Sequence, residues 1–309
     1  RDQPRSRGLG DVYKRQPSAF KLADAEGNEL SASEGIRVPA GDFSAKIMVK
    51  VGQLNSKDFP ANKKYAIPLS ITGASNYSLI PSQRSAILLL NRSILSSVAK
   101  VSGGEGIRIK PVGMHTKAEW TIQMSAIYSS LTSSNLTTAY LSNGTGGEFY
   151  TRISSTAGIQ VKNGRDGDDT WTQIPLQAGK WLHITYVHKD KKTTVYVNGK
   201  VQKVFENSAI TFGENSMIVV GNSGYRNDYL REIRLWDKAL TESEINDYLY
   251  LPMDPATPHL ISYLPLSKEM ETKDLKAPAG TENVTTKARI EYVENVKFPA
   301  DELVIVNQE

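Results

Sequence analysis

The chain of 309 residues contains no cysteine. Disulfide staples and thiolate metal sites are therefore excluded, and stability must come from packing and hydrogen bonding. Histidine is scarce too, with only His115, His183, His188 and His259. Of these, His183 and His188 are close in sequence, but their odd spacing places them on opposite faces of a strand, so they make no metal pair. No apolar run approaches the roughly 18 residues of a membrane-spanning helix. The nucleophile-elbow, P-loop and dinucleotide fingerprints are also missing. The net charge of +4 is largely local: Arg1, Arg5, Arg7, Lys14 and Arg15 stand against Asp2 and Asp11, which leaves +1 for everything after residue 16. That distribution removes the main support for a nucleic-acid partner.

What is present is a β-rich polar sequence whose 309 residues suggest one to three domains and whose 39% hydrophobic content is enough for real cores. Residues 1–16, RDQPRSRGLGDVYKRQ, carry no apolar period and resemble translated sequencing-adapter read-through; the alternative is a basic arm. On the first reading the true N-terminus, with any signal peptide or lipid-acceptor cysteine, lies outside this chain. Five N-x-S/T sequons start at Asn76, Asn91, Asn135, Asn143 and Asn283; in a Ser/Thr/Asn-rich β protein they carry little weight.

The densest signal lies between residues 180 and 245. Trp181 to Val187 alternates large side chains with the period of a half-buried strand. Lys189-Asp190-Lys191-Lys192 reads as a hairpin tip, Thr193 to Val197 as the next strand, and Asn198-Gly199 as a type I′ turn. Met217 to Val220 is a further strand. Glu232-Ile233-Arg234-Leu235-Trp236 follows, and Thr241 to Glu244 forms a capping box that opens a short helix. This ordered set resembles the laminin-G-like, concanavalin A-like jelly-roll module over roughly residues 101–300. The resemblance implies a two-sheet antiparallel sandwich that binds glycans or proteins and does no chemistry. The core is expected to include Trp181, Ile184, Val195, Val197, Ile218, Val220, Ile233 and Leu235, with Trp120 and Trp236 also as packing residues.

Residues 17–92 read as short strands at 36–38, 45–51, 64–71 and 85–90, punctuated by Pro-Ala-Gly-Asp and Pro-Ala-Asn turns. VPAGDFSAKIMVKV, KKYAIPLSIT and SAILLLNRS resemble the C-terminal part of an immunoglobulin-like domain found at the N-terminus of surface lipoproteins of glycan-foraging gut bacteria, here truncated. The Ser-rich stretch 93–104 reads as a linker, 105–300 as the jelly roll and 301–309 as a tail. The expected fold class is all-β: a truncated immunoglobulin-like sandwich followed by a concanavalin A-like sandwich.

Related jelly-roll glucanases carry an E-x-D-x-E strand that aims two carboxylates at substrate. No such pattern occurs here, and the odd spacing of Glu232 and Asp237 points them apart. Many modules of this kind hold a rim Ca2+, often with an Asp directly before the E-[IV]-R-[IL]-W strand. Arg231 occupies that position, so no metal or other cofactor is expected; Asp166, Asp168 and Asp169 are the fallback ligands, without EF-hand spacing. Sugars are gripped by aromatic faces with polar groups nearby. Trp171 after an acidic loop, Tyr150 beside Gly146-Gly147, and Tyr225 and Tyr229 in GNSGYRNDYL are the candidate contacts, with Arg226 and Asp228 as hydroxyl partners. The expected function is non-catalytic binding of a glycan, or of a host or surface glycoprotein, at the outer surface of a bacterium. The membrane would be met only through a lipid anchor. Alternatives are a protein-binding adhesion module and, third, a glycoside hydrolase or lyase.

Overall fold

The computed structural model describes residues 20–307 apart from 32–34, 53, 55–57, 61–64, 76–77, 83, 91–92, 105, 113–117, 133–138, 143–148, 163–167, 207–215 and 222–224; at 139–142, 168, 225 and 226 it describes the backbone alone. The chain divides into two compact units, residues 1–92 and 93–309.

In the first unit β1 (Phe20–Ala23) pairs with β2 (Met48–Val51), and β3 (Tyr65–Ser70) with β4 (Ser85–Leu90), both antiparallel. Phe59 and Tyr65 meet edge to face at 5.1 Å and, with Ala23 and Ile67, are the buried apolar residues among the described residues of this unit. The other face of the second hairpin leaves Ile87 and Leu89 57% and 61% exposed. Residues 36–38, expected as a strand, are irregular, and the strand expected from 45 starts at Met48.

The second unit opens with β5 (Ile94–Gly103), which corrects the linker assigned to 93–104. This strand lies inside the large sheet, with Val98, Ala99 and Val101 fully buried. Its serines read as linker composition, whereas β15 and β18 pair with it on both edges. The remaining strands are β6 (Ile107–Ile109), β7 (Trp120–Ile127), β8 (Ala139–Ser142), β9 (Tyr150–Ser154), β10 (Gly158–Lys162), β11 (Trp181–Lys189), β12 (Lys192–Val197), β13 (Lys200–Glu206), β14 (Met217–Val220), β15 (Tyr225–Trp236), β16 (Leu260–Leu264), β17 (Val284–Thr285) and β18 (Arg289–Phe298). An eight-stranded sheet runs β13-β12-β11-β7-β15-β5-β18, with β16 also on β15; a second sheet runs β17-β6-β14-β8.

Both turns of the central meander match the sequence. Asn198 and Gly199 have φ of 51° and 75°, and Asp190 and Lys191 have φ of 50° and 61°, the paired positive angles of a type I′ turn. The apolar core lies between the two sheets. Ile122, Met124, Ile184, Tyr186, Val195 and Leu235 meet Ile107, Ile109, Ile218 and Val220, and Phe149, Ile153 and Ile159 close the side.

Trp181 is buried as expected, at 2% exposure, but on the opposite face of the sheet from Ile184. Leu182, Ile184 and Tyr186 take the inward positions of β11, so the odd-numbered Trp181 turns outward, against Phe298 at 5.0 Å. That outward face is itself covered. The helix α1 (Glu242–Asp247) begins on the capping box of Thr241 and Glu244, and its Ile245 packs with Val187, Trp236, Leu240 and Met253 over the sheet. The last residues are also tied down: Asp301 O accepts from Trp181 N at 2.8 Å, and Val306 N donates to Asn295 O at 2.9 Å, so the tail assigned to 301–309 belongs to the sandwich as far as Val306.

Candidate functional site

The six residues expected to touch ligand fall into two places. Tyr150 and Trp171 come together on one surface. Tyr225, Arg226, Asp228 and Tyr229 lie in β15 of the large sheet rather than in a loop.

The first surface is built on the β9–β10 hairpin. Ser154 Oγ accepts from the N–H groups of Thr156 and Ala157 and so closes the turn. Gly158 is required next: its φ is +79°, and a Cβ there would lie 2.2 Å from Thr172 Oγ1 and 2.4 Å from Ile174 O. That close approach lets residues 171–173 run beside β10, joined to it by one isolated bridge and backbone hydrogen bonds. Thr172 N donates to Ile159 O and Ile159 N to Thr172 Oγ1, while Trp171 bridges to Gln160. Thr151, Ile153, Ile159 and Val161 point into the core. By alternation, Tyr150, Arg152, Gln160, Lys162 and Trp171 share the outward face. Tyr150, Arg152, Lys162 and Trp171 are each half-buried.

The strip is held in shape by its own polar groups. Arg152 Nε donates to Tyr150 OH at 3.3 Å, and its guanidinium lies 5.3 Å over the Tyr150 ring. Lys203 on β13 donates to Asp169 O and Trp171 O at 2.9 and 2.7 Å, pinning the turn of residues 168–170 that precedes the tryptophan. Gln160 Nε2 donates to Thr170 Oγ1, while Gln160 Oε1 is buried without a partner. Half-open rings beside a guanidinium and a lysine can pack C–H groups and read hydroxyls. Sequence reasoning did not single out Arg152, Gln160 or Lys162; their alternation with buried Thr151, Ile153 and Val161 was the available signal.

The β15 group is different. Asp228 is fully buried and accepts from Ser129 N and Ser129 Oγ at 2.8 and 3.0 Å. It is therefore corrected from hydroxyl reader to structural acceptor: its register opposite Val101 turns it inward. Tyr229 is half-buried in register with Ile127 and Lys100. The side chains of Tyr225 and Arg226 lie outside the described residues, as do Asp166 and the side chain of Asp168 in the fallback calcium loop. No group of three or more His, Asp or Glu side chains able to hold a metal occurs among the described residues.

The outward face of the large sheet carries the most polar cluster, and it is sealed. A bulge between Arg231 and Arg234 places Glu232 at φ 55° and 3% exposure. Its carboxylate accepts from Arg234 Nη2 at 2.6 Å and from Tyr263 OH at 3.0 Å, with Arg231 Nη2 at 3.5 Å. The arginines also donate to the carbonyls of Tyr248 and Tyr250, fastening the chain after α1 over the sheet. Burial, then the neighbouring Glu232 charge, pushes the Tyr263 phenol above its ordinary range, so it stays a donor. The Arg231 guanidinium also lies 4.1 Å over the Phe298 ring. Gln123 accepts from Trp236 Nε1 at 2.9 Å and Ser125 bonds His183 at 2.7 Å, completing a polar layer under the cover. Burial and the nearby arginine charges bring the His183 pKa down to about 3, and burial alone brings His188, stacked on Trp120 in the core, to about 4. As the odd spacing requires, the two histidines occupy opposite faces. Asp237 bonds His259 Nδ1 instead of facing Glu232.

No curated protein matches the chain. Among solved structures, a protein of Bacteroides ovatus ATCC 8483, provisionally described as carbohydrate-binding, is similar with a TM-score of 0.55 at 18% identity, over 95% of this chain and 83% of that one. A heptameric SAP-like pentraxin from Limulus polyphemus gives a TM-score of 0.40 at 14% identity, over 65% of this chain and 94% of its own. Domain 4 of a GH43 extracellular arabinanase from Geobacillus stearothermophilus, solved with arabinotriose, gives 0.35 at 14% identity, over 59% and 87%. At such identities the first likeness speaks to fold alone, and the other two are too distant to bear on the site. Residues 102–246, just under half of the chain, match the family model Laminin_G_3 of the concanavalin A-like lectin/glucanases superfamily, in keeping with the all-β, antiparallel sandwich of this unit.

Proposed function

We propose that this chain is a non-catalytic carbohydrate-binding protein of a bacterial surface. Glycan would be gripped by the outward face of the β9–β10–Trp171 strip, and the first unit, of the immunoglobulin-like kind, would serve as a spacer. The observation that carries the reading is that Trp171 and Tyr150, half-exposed, share one face with Arg152 and Lys162. The Bacteroides ovatus neighbour, described as carbohydrate-binding, supports the ligand class. The non-catalytic reading rests on the missing E-x-D-x-E strand, and Glu232, the carboxylate nearest to such a position, is held by two arginines and a tyrosine. Export and a lipid anchor ahead of residue 17 complete the proposal.

A small aromatic platform gives modest affinity, a dissociation constant near the millimolar range or about −4 kcal/mol. The test is calorimetry against soluble arabinan, xylan, galacturonan, mucin glycans and chondroitin. Saturable binding to at least one glycan, without release of reducing sugar, is expected. Reducing-sugar release abolished by a single Asp or Glu substitution would replace this reading with a hydrolase, and binding of a protein but of no glycan would replace it with an adhesion module.

A further inference from the structure

The sheet edges of this chain are guarded unevenly. In the large sheet the outer strand β13 carries Lys200, Lys203 and Glu206, and the strand at the far side, β18, is partly covered by residues 304–306. Charges and covering segments of this kind stop a sheet from growing through its edge. The two-stranded β3–β4 hairpin of the first unit is guarded on one side alone.

The register shows which side. Ser70 stands opposite Ser85, and one step further Ile71 N donates to Arg84 O at 2.8 Å. In an antiparallel ladder, hydrogen-bonded and non-hydrogen-bonded pairs alternate. Ile71–Arg84 is thus a bonded pair, as are Leu69–Ala86 and Ile67–Leu88, whereas Pro68–Ile87 and Ala66–Leu89 are non-bonded pairs. At non-bonded pairs the backbone N–H and C=O point away from the neighbouring strand. On β3 that outer edge holds Pro68, which has no N–H to give and so blocks a further strand. On β4 it holds Ser85, Ile87 and Leu89, and the strand Ser85–Leu90 contains neither proline nor charge. No strand other than β3 pairs with β4 among the described residues. The side chains agree with the backbone: Ile87 and Leu89 are 57% and 61% exposed on one face, and Leu88 is 39% exposed on the other. A strand of high β propensity is left at an open edge.

We propose that β4 pairs antiparallel with β4 of a second copy of this chain, about a two-fold axis that runs normal to the sheet at Ile87. Symmetry identifies the occupant. Such an axis keeps each face on its own side, so residues an even number apart must meet, and Ser85, Ile87 and Leu89 are the ones with outward backbone groups to exchange. With Ile87 at the axis all three are used: Ile87 meets the partner's Ile87, and Ser85 meets the partner's Leu89, giving about six backbone hydrogen bonds. Leu88 then lies opposite the partner's Ala86 and Arg84 opposite the partner's Leu90, so no like charges face each other. The strand is complementary to itself. Six residues a side bury less than the roughly 1,600 Å2 of a standard interface, which sets a weak dimer with a dissociation constant of about 10–100 μM. Such a dimer carries two copies of the second unit and is bivalent for whatever that unit binds.

The chain has no cysteine, so single cysteines report the pairing directly. At the axis, the Cα atoms of Ile87 and the partner's Ile87 lie about 5.5 Å apart, within reach of a disulfide. Those of Ser85 and the partner's Ser85 lie about 14 Å apart, out of reach. Under mild oxidation the whole chain carrying Ile87→Cys should form a cross-linked dimer at least tenfold faster than the chain carrying Ser85→Cys. Sedimentation of the unaltered chain from about 5 to about 500 μM should follow a monomer–dimer equilibrium. Ile87→Lys, which sets two ammonium groups face to face at the axis, should weaken that dimer at least tenfold, with the melting temperature within about 2 °C because the side chain is already exposed. A chain that stays monomeric over the whole range would leave β4 to a strand of another polypeptide and overturn the proposal. Equal cross-linking at residues 85 and 87 would overturn it too, as would an undiminished dimer in Ile87→Lys, which would put the contact on another surface.

Discussion

Two surfaces of the second unit point polar and aromatic side chains away from the core, with opposite consequences. On the large sheet, Thr121, Gln123, Ser125, Arg231, Arg234 and Trp236 face outward and all are buried, because α1 and the chain after it lie on top. On the β9–β10–Trp171 strip, Tyr150, Arg152, Lys162 and Trp171 face outward and remain half-open. Alternation along a strand therefore tells which side of a sheet a residue takes, but not whether that side meets water. Covered, such a layer becomes a hydrogen-bonded lock between sheet and helix. Uncovered, it is available to a ligand.

If this contrast is right, the covered face should yield the largest stability effects. Glu232→Gln leaves two arginines buried without their shared carboxylate, and removing one partner from a buried charge group costs about 3–5 kcal/mol. Trp181→Ala should cost about the same, through the cavity left against Phe298. Denaturant unfolding measures both, and a loss under about 1 kcal/mol in either variant would mean that the cover is not a structural lock.

The next effect is a pH dependence. His188 has its pKa lowered to about 4 by burial against an unfolded value near 6.5, so the unfolded chain binds the extra proton between these values. Its contribution is complete above about pH 6.5 and is lost as pH falls toward 4, by up to about 3 kcal/mol. His183, whose pKa is brought down to about 3, adds a loss in the same direction that continues to lower pH. A His188→Gln variant should show a visibly flatter fall in stability between pH 6.5 and 4; an unchanged slope would place the acid sensitivity elsewhere.

On the open strip, effects on stability should be small. Lys203→Ala removes the two bonds to the carbonyls of Asp169 and Trp171 and should cost about 1 kcal/mol, with a larger gain in acrylamide quenching of Trp171. A cost of several kcal/mol would show that the strip is part of the core.

Local signals carried most of the fold. Asn198-Gly199, the Thr241–Glu244 capping box and the alternation of β7 and β11 fix strands, turns and helix from neighbouring residues alone. What the sequence concealed depends on distant partners. The serine-rich β5 reads as a linker because its burial comes from β15 and β18, which lie far along the chain. Trp181 reads as a core partner of Ile184 because a large ring near a strand start looks like core on either face. Of the candidate site, Trp171 and Tyr150 were legible as aromatics beside Gly- or Asp-rich segments. Their meeting on one face depends on residues 171–173 running beside β10, which rests on Gly158 and Thr172 rather than on any motif. Asp228 reads as a loop residue because the polar run GNSGYRND resembles a loop, whereas a bulge at Asn227 carries it into the sheet.

The most direct test of the contrast uses the four tryptophans as reporters, since Trp120, Trp181 and Trp236 are buried and Trp171 is half-open. Indole N–H resonances of the intact chain would be followed while titrating the best-binding glycan of the panel, in the native protein and in Trp171→Ala. The account predicts that one indole signal moves, that it is the signal missing from the variant, and that the variant binds at least tenfold more weakly with a melting temperature within about 2 °C of the native value. Movement of a buried tryptophan with Trp171 unchanged, or full affinity in Trp171→Ala, would contradict it.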